Sequence, residues 1–363
     1  MRIGFFSNSY KPYISGVTVS METLAKELRG MGHTVYIVAP SYPGHKDAEP
    51  DIIRVPSFPS SYPGFRLAVP VVKSFPRLDI VHAHNPFGMG QLARLAARRQ
   101  AIPLVFTFHT LFTRYTHHAS LVPQDLSKRL LASYLKYYCS LADCIITPTV
   151  MVKRSLLAWK VKKRIEVIPT GISLKDTRVS GNPAIRDFLK IGKDAKVLLY
   201  VGRLTREKNI MFLVEAFKKL KDTYFIIVGK GPLYKDIERQ NIPSLVLAGE
   251  VPSEKVYDYC AAADLFVFSS LTETQGLVLA EAKSQGLPIV ALYSAALGDA
   301  VRSGIDGYLT RRNQDAFLEH VKRLLGDDGL RKKMSLAARQ DIAERFSSDQ
   351  VAKKVETLYN SLI

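Results

Sequence analysis

Cysteine is scarce in this sequence: Cys139, Cys144 and Cys260 are the only three in 363 residues. Their spacing fits no metal-ligand pattern. An odd number without a secretion signal points to reduced thiols that pack rather than crosslink, as in the cytoplasm. Long apolar runs are missing as well. None approaches the ~20 residues that a membrane-spanning helix needs. The opening residues read as a strand and not as a signal peptide. No Asp-x-Asp occurs anywhere, so no bound catalytic metal is expected. No Gly-x-Gly-x-x-Gly follows the first strand pattern, which argues against a dinucleotide cofactor. Repeats and low-complexity tracts are absent. Acidic residues are in short supply, with 33 Asp/Glu against 51 Lys/Arg and a net charge of +18.

What remains is a chain long enough for two domains, with 47% hydrophobic residues to fill their cores. Strand-like runs at residues 2–7, 34–39, 80–83, 104–108 and 144–148 alternate with amphipathic stretches. Met21, Leu24, Leu28 and Met31 recur at helical spacing, and Gly32 stops that helix. A second series of strands reads at residues 196–201, 225–228, 245–248, 265–268 and 289–291. Such alternation implies two parallel sheets covered by helices, an α/β architecture. Ile168-Pro-Thr-Gly-Ile172 is a short Pro/Gly connection, and the hinge is placed there. Val351, Val355, Leu358 and Leu362 make the last segment an amphipathic helix.

One stretch carries the most chemistry: Ser270-Leu-Thr-Glu-Thr-Gln-Gly-Leu-Val-Leu-Ala-Glu281. Asp264-Leu-Phe-Val-Phe-Ser-Ser270 before it reads as a buried strand, and Gly286-Leu-Pro-Ile-Val-Ala291 after it as the next one. The unit is βαβ. Glu273 lies in the loop entering the helix, and Glu281 about two turns further on. Two glutamates at this spacing face solvent in many helices. Here, however, Glu273 sits at the carboxyl end of a strand, where ligands of such sheets bind. Free N–H groups at the helix start favour an anion. A polar ligand carrying phosphates, such as a sugar nucleotide, fits.

This segment resembles the Glu-x7-Glu motif of retaining glycosyltransferases of family 4, which have the GT-B fold. Met1-Arg-Ile-Gly-Phe-Phe-Ser-Asn-Ser-Tyr-Lys-Pro-Tyr-Ile-Ser-Gly-Val17 is similar to the opening strand and glycine loop of that family. Val201-Gly-Arg-Leu-Thr-Arg-Glu-Lys-Asn209 resembles its phosphate-binding segment. Ile227-Val-Gly-Lys-Gly-Pro232 and Ser303-Gly-Ile-Asp-Gly-Tyr-Leu309 are also family-like. The resemblance covers nearly the whole chain. It implies two Rossmann-like domains facing across a cleft: residues 1–169 for the acceptor and residues 170–345 for the nucleotide sugar. A terminal helix, residues 346–363, would cross back to the first.

The same resemblance assigns roles. Arg203, a planar fork of donors, and Lys208, a point charge, would meet the donor diphosphate. Gly16 and Gly202 would let backbone approach the phosphates. Glu281 would accept from ribose hydroxyls, and backbone near Val251 would hold the base. Glu273 would contact the sugar beside the N–H groups of Gln275, Gly276 and Leu277. His109, just past a strand, would hydrogen-bond the transferred sugar and favour its developing positive charge through its dipole. His82 and His84 also end a strand, where a structural role and a functional one both remain open. The family implies retention of configuration. With no paired acids placed as in retaining hydrolases, a front-face reaction is expected. The departing phosphate would help deprotonate the acceptor while Arg203, Lys208 and the helix N-terminus stabilise the leaving group.

The basic excess bears on the acceptor. Residues 1–169 hold 22 Lys/Arg and 9 Asp/Glu, whereas residues 170–363 hold 29 and 24. The first half therefore carries most of the positive charge, which attracts anionic partners. Leu130, Tyr134 and Tyr137 form a helical stripe beside Lys128, Arg129 and Lys136. Trp159-Lys-Val-Lys-Lys-Arg164 sets the only tryptophan beside Lys160, Lys162, Lys163 and Arg164. Apolar groups next to lysines suit a membrane interface. Either stretch could also be an ordinary packed helix with a solvated basic edge. No nucleic-acid motif occurs, and no nucleic-acid partner is expected. Phe106-Thr-Phe-His-Thr-Leu-Phe-Thr-Arg-Tyr-Thr-His-His118 and Thr272-Glu-Thr-Gln-Gly276 resemble the corresponding segments of diacylglycerol glucosyltransferases. The expectation is an enzyme peripherally attached to the inner face of the cell membrane, moving glucose from UDP-glucose to diacylglycerol. The alternatives are a phosphatidylinositol mannosyltransferase using GDP-mannose, a family 4 enzyme with a soluble sugar acceptor, and a non-catalytic basic lipid-binding protein.

Overall fold

The structure is a computed structural model that describes residues 1–60, 65–69, 71, 74–109, 124–174 and 183–363. It divides into two compact units, Met1–Gly171 with Ser348–Ile363, and Ile172–Ser347. These junctions lie two residues beyond those expected from the sequence.

The first unit is built on a seven-stranded sheet, in the order β3-β2-β1-β6-β7-β8-β9. Its strands are β1 (Arg2–Phe6), β2 (Thr34–Pro40), β3 (Ile52–Val55), β6 (Ile80–Ala83), β7 (Leu104–Thr107), β8 (Cys144–Thr147) and β9 (Arg164–Val167). Every pairing is parallel. A separate antiparallel hairpin joins β4 (Ser57–Pro59) to β5 (Arg66–Ala68). Side chains alternate across the sheet, so Ile3 and Phe5 enter one core layer and Phe6 the other. Both faces are covered, which is why the inner strands are mostly apolar.

Helix α1 (Gly16–Gly30) begins at Ser15, whose side chain accepts from the Thr18 N–H. The terminal helix α12 (Ser348–Asn360) sets Val351, Val355, Leu358 and Tyr359 into the same layer as Ile3 and Phe5. Gly171, where the chain leaves this unit, passes Ser348, where it returns. A side chain at Gly171 would come within 2.7 Å of the Ser348 Cα. All three cysteines are buried and unpaired. Burial pushes the Cys139 thiol up to about 12 and the Cys144 thiol up to about 11.

The second unit carries a six-stranded parallel sheet, in the order β12-β11-β10-β13-β14-β15. The strands are β10 (Lys196–Val201), β11 (Thr223–Val228), β12 (Leu245–Gly249), β13 (Leu265–Phe268), β14 (Ile289–Leu292) and β15 (Gly307–Thr310). Leu199, Phe225, Phe266 and Phe268 centre its core. In both sheets the chain runs outward on one side of the founding strand and then starts again on the other. The resulting switch points lie between β1 and β6, and between β10 and β13. The crevice outside the carboxyl ends of such strands is where this architecture binds ligands.

Sequence periodicity misses three of the four edge strands, β3, β9 and β15, and the β4–β5 hairpin. Arg164, read as part of a basic run, in fact begins edge strand β9. The pattern Arg-Ile-Glu-Val is half polar because an edge strand has one exposed flank.

Candidate functional site

The switch point of the second unit gathers the phosphate-site candidates. Past β10 the chain turns at Gly202, and past β11 at Gly229, whose φ is +133°. A Cβ on Gly229 would lie 2.1 Å from the Gly202 carbonyl oxygen, so the two turns touch only because position 229 is glycine. Arg203 follows, exposed, and its backbone carbonyl accepts from the Tyr200 hydroxyl at 3.2 Å. Lys208 closes the loop just before α6 (Ile210–Phe217).

From β13, fully buried Ser269 donates its hydroxyl to the carbonyls of Lys208 and Asn209, each at 2.9 Å. That contact fixes the backbone of the Lys208 loop to the loop that carries Glu273. The side chains then meet: Lys208 Nζ lies 2.5 Å from Glu273 Oε1. Glu207 completes the cluster. Burial pushes its carboxyl up, but its own backbone N–H and the charges of Arg203 and Lys208 outweigh that and hold it below the usual range.

Helix α9 (Leu277–Ser284) starts at Gly276, in the left-handed region with φ +76°. Glycine has no side chain with which to cap the first turn, so those N–H groups are left for another acceptor. A Cβ there would also meet Leu297 Cδ2 at 3.0 Å. Gln275 is buried, and Leu277 is half-buried. On α9, Glu281 retains partial solvent access. Desolvation still raises its carboxyl above the ordinary value. Val251 lies half-buried in the loop after β12.

Two positions beyond Glu281 on α9 lies Lys283, which no sequence motif singles out. Its side chain is buried, with Nζ 2.5 Å from Asp341 Oδ2 and 3.1 Å from Asp306 Oδ2, and it donates to the Ala300 carbonyl at 2.9 Å. Arg302 and Arg345 flank the same carboxylates. This network locks α9 to α11 (Asp328–Asp341) and to the π-helical turn Ile342–Phe346.

In the first unit, three histidines line up at the carboxyl ends of β6 and β7. His82 and His84 stack with ring centroids 4.1 Å apart. His82 is fully buried. Its Nδ1 is 2.6 Å from the Tyr359 hydroxyl on α12, and its Nε2 is 2.6 Å from Thr107 Oγ1. His84 Nδ1 lies 2.9 Å from His109 Nε2. Burial pulls His82 down to about 3 and His109 down to about 4. His84 falls well below 6.5 through burial and its two histidine neighbours. All three are neutral at pH 7. A pocket beside them is lined by Ser20, His82, Thr107, His109, Thr170 and Ser348, among others. Gly16 is exposed at the first turn of α1, rather than in the loop before it. The segment that follows His109, residues 110–118, lies outside the described residues.

The basic stretches are on the surface of the same unit. On α3 (Gln124–Leu141), Leu130 and Tyr137 are exposed, as are Lys128, Arg129 and Lys136. Tyr134 is half-buried and donates to the Pro86 carbonyl at 2.6 Å, so it belongs to the packing as well as to the stripe. Lys160, Lys162, Lys163 and Arg164 are exposed. Trp159 is half-buried, its ring edge-on to Phe108 with centroids 6.2 Å apart. Among the described residues, no helix is long and apolar enough to cross a membrane.

Comparison with known proteins agrees with this arrangement. The profile of Glycosyltransferase Family 4 matches residues 14–176, and that of Glycosyl transferases group 1 matches residues 182–341. The chain is similar to the alpha-monoglucosyldiacylglycerol synthase of Acholeplasma laidlawii, with 33% identity covering 100% of this chain and 98% of the relative. It is 32% identical to the enzyme of the same name from Streptococcus pneumoniae, over 85% of this chain and 75% of that one. Its fold is similar to that of Anabaena HepE in complex with UDP and glucose, with a TM-score of 0.77, 17% identity and full coverage of both chains. Two parallel-sheet units, each with its candidate residues at a switch point, together with these matches place the chain in glycosyltransferase family 4, with the GT-B fold.

Proposed function

We propose that this glycosyltransferase moves glucose from UDP-glucose to diacylglycerol at a membrane surface, with retention of configuration and without a metal ion. The observation that carries the reading is the Lys208–Glu273 contact at the β10/β13 switch point, just ahead of the glycine-started helix α9. A nucleotide diphosphate needs cations and N–H donors, and a hexose needs a carboxylate acceptor. Arg203, Lys208 and the first turn of α9 supply the former, and Glu273 the latter. Those fixed positive groups take the place of a cation in neutralising the departing phosphate. Glu281 accepts from the ribose, and Gly202, Val251, Gln275, Gly276 and Leu277 shape the remaining contacts.

In the reaction, the bond from the anomeric carbon to the β-phosphate oxygen breaks, and the new bond to the acceptor oxygen forms on the same face. The acceptor proton passes to the departing phosphate oxygen. His109, neutral at pH 7, hydrogen-bonds the hexose. The diacylglycerol acceptor is supported by the two similar synthases and by the exposed apolar and basic groups of the first unit.

The test is release of free nucleotide from a panel of UDP- and GDP-sugars, with and without vesicles holding diacylglycerol and anionic lipid. Vesicle-dependent release from UDP-glucose with a glycolipid product is expected. Release indifferent to lipid would overturn the acceptor, and preference for GDP-mannose would overturn the donor.

A further inference from the structure

His84 has no role in the scheme above, yet it holds the ring of His109. The two imidazoles are inclined by 24°, with centroids 5.2 Å apart and Nδ1 to Nε2 2.9 Å. That centroid distance is close to the N···N distance plus roughly one ring radius on each side, so the rings meet edge to edge through an in-plane hydrogen bond. Phe5 packs edge-on against His84 from one side at 4.8 Å, and His82 stacks on it at 4.1 Å. His84 is 3% exposed, so it cannot turn to another partner.

Each ring is neutral and carries a single proton, so one nitrogen of the pair donates and the other accepts. The remaining nitrogen of His84 decides which. Nε2 is buried, and it has no hydrogen-bond partner among the described residues. A proton on it would be a buried donor without an acceptor, which folded proteins tolerate less than an idle lone pair. The proton therefore belongs on Nδ1, and the Nδ1–H donates to His109 Nε2. His109, with Nε2 already accepting, must carry its own proton on Nδ1.

We infer that His84 is a positioning residue which fixes His109 as the Nδ1–H tautomer, so that His109 presents a hydrogen-bond donor to an oxygen of the bound sugar. The inference rests on the reading of His109 as a sugar contact. It adds what that contact offers, and it assigns a residue that sets it. A free imidazole would divide between two tautomers and present the donor only part of the time. The packed His82–His84–Phe5 stack removes that freedom before any ligand arrives. His82 is in turn held by Tyr359 and Thr107, so the orientation of His109 is anchored through the stack as far as α12.

The test uses the full chain with histidine labelled by nitrogen-15, and long-range proton–nitrogen spectra at pH 7. Loss of signals in His109→Ala and His84→Phe assigns the two rings among the eight histidines. In the unsubstituted protein, His109 should show a protonated Nδ1 and a bare Nε2. The opposite pattern overturns the inference. His84→Phe keeps a flat ring in the stack but removes the donor. The Nε2–H form of His109 should then appear, and kcat should fall about tenfold, the scale of one lost neutral hydrogen bond, with UDP affinity unchanged. An unchanged kcat in His84→Phe, beside a collapse in His109→Ala, would sink the positioning role alone. Full turnover in His109→Ala would remove the sugar contact itself, and the inference with it.

Discussion

Lys208 Nζ and Glu273 Oε1 lie 2.5 Å apart, although the two residues are 65 positions apart in the chain. The proposed phosphate cation and the proposed sugar carboxylate thus hold each other in place. Each also offsets part of the charge that the other offers a ligand.

Glu273→Gln should separate these effects. The amide keeps the shape and removes the charge, so Lys208 becomes a stronger partner for phosphate. UDP should bind several-fold more tightly by calorimetry, whereas kcat should fall by at least about 100-fold, as when a transition-state contact is lost. Lys208→Ala should weaken UDP and slow turnover together. If UDP binding weakened in Glu273→Gln as well, the carboxylate would be organising the phosphate site rather than the sugar.

Lys283 is predicted to matter for stability and, through α9, for donor binding. Removing its charge in Lys283→Met leaves Asp306 and Asp341 buried with only Arg302 and Arg345 to face them. Breaking a buried ion pair from one side costs about 3 kcal/mol or more. Unfolding of the second unit by calorimetry should shift to match, and UDP affinity should fall with it. A change within experimental error would mean that the arginines suffice.

The strands were legible because parallel strands buried on both faces are unbroken apolar runs, as at residues 80–83 and 265–268. β9 and β15 were not, since an edge strand keeps polar residues and β15 opens on Gly307. The candidate residues were legible where a motif is local: Gly202, Arg203 and Lys208 follow β10 within one loop, and Glu273 lies in the loop that leads into α9, which carries Glu281. What escaped depends on partners remote in sequence. Lys283 reads as a surface lysine until Asp306 and Asp341, 23 and 58 residues away, meet it. Ser269 reads as a strand end until its hydroxyl reaches back 60 and 61 residues to the Lys208 loop. No periodicity records such contacts.

The histidine stack makes the first unit sensitive to acid. Its three rings stay neutral in the folded state far below 6.5, where the unfolded chain would take up protons. Folding therefore excludes protons over the window from about 6.5 down to about 3. Stability is greatest above that window and falls as pH falls through it. Trp159, the only tryptophan, sits in this unit against Phe108, so its fluorescence reports the first unit alone. The urea midpoint should drop between pH 7 and pH 5. His82→Phe should show a shallower slope, by up to one proton, whatever its midpoint at pH 7. Activity limited by His109 should hold to about pH 5, and a loss centred near 6.5 would contradict a neutral buried ring.

The membrane docking proposed for the first unit should separate into a charged part and an apolar part. Lys162, Lys163, Lys128 and Arg129 are exposed, and near an anionic bilayer each contributes about 1 kcal/mol. That is roughly a fivefold change in binding for each charge removed, and Lys162→Gln with Lys163→Gln should compound it. Screening shortens the reach of these charges from about 8 Å at physiological salt to about 3 Å at 1 M, so their effect should shrink together as salt rises. Leu130 is 60% exposed on α3 and acts by burial, which salt does not screen. Leu130→Ser should therefore weaken vesicle binding by a similar factor at low and high salt. Sedimentation with vesicles containing about a third anionic lipid reads both. If the lysine variants bound like the unsubstituted protein at low salt, the positive charge of this unit would serve some other anionic partner.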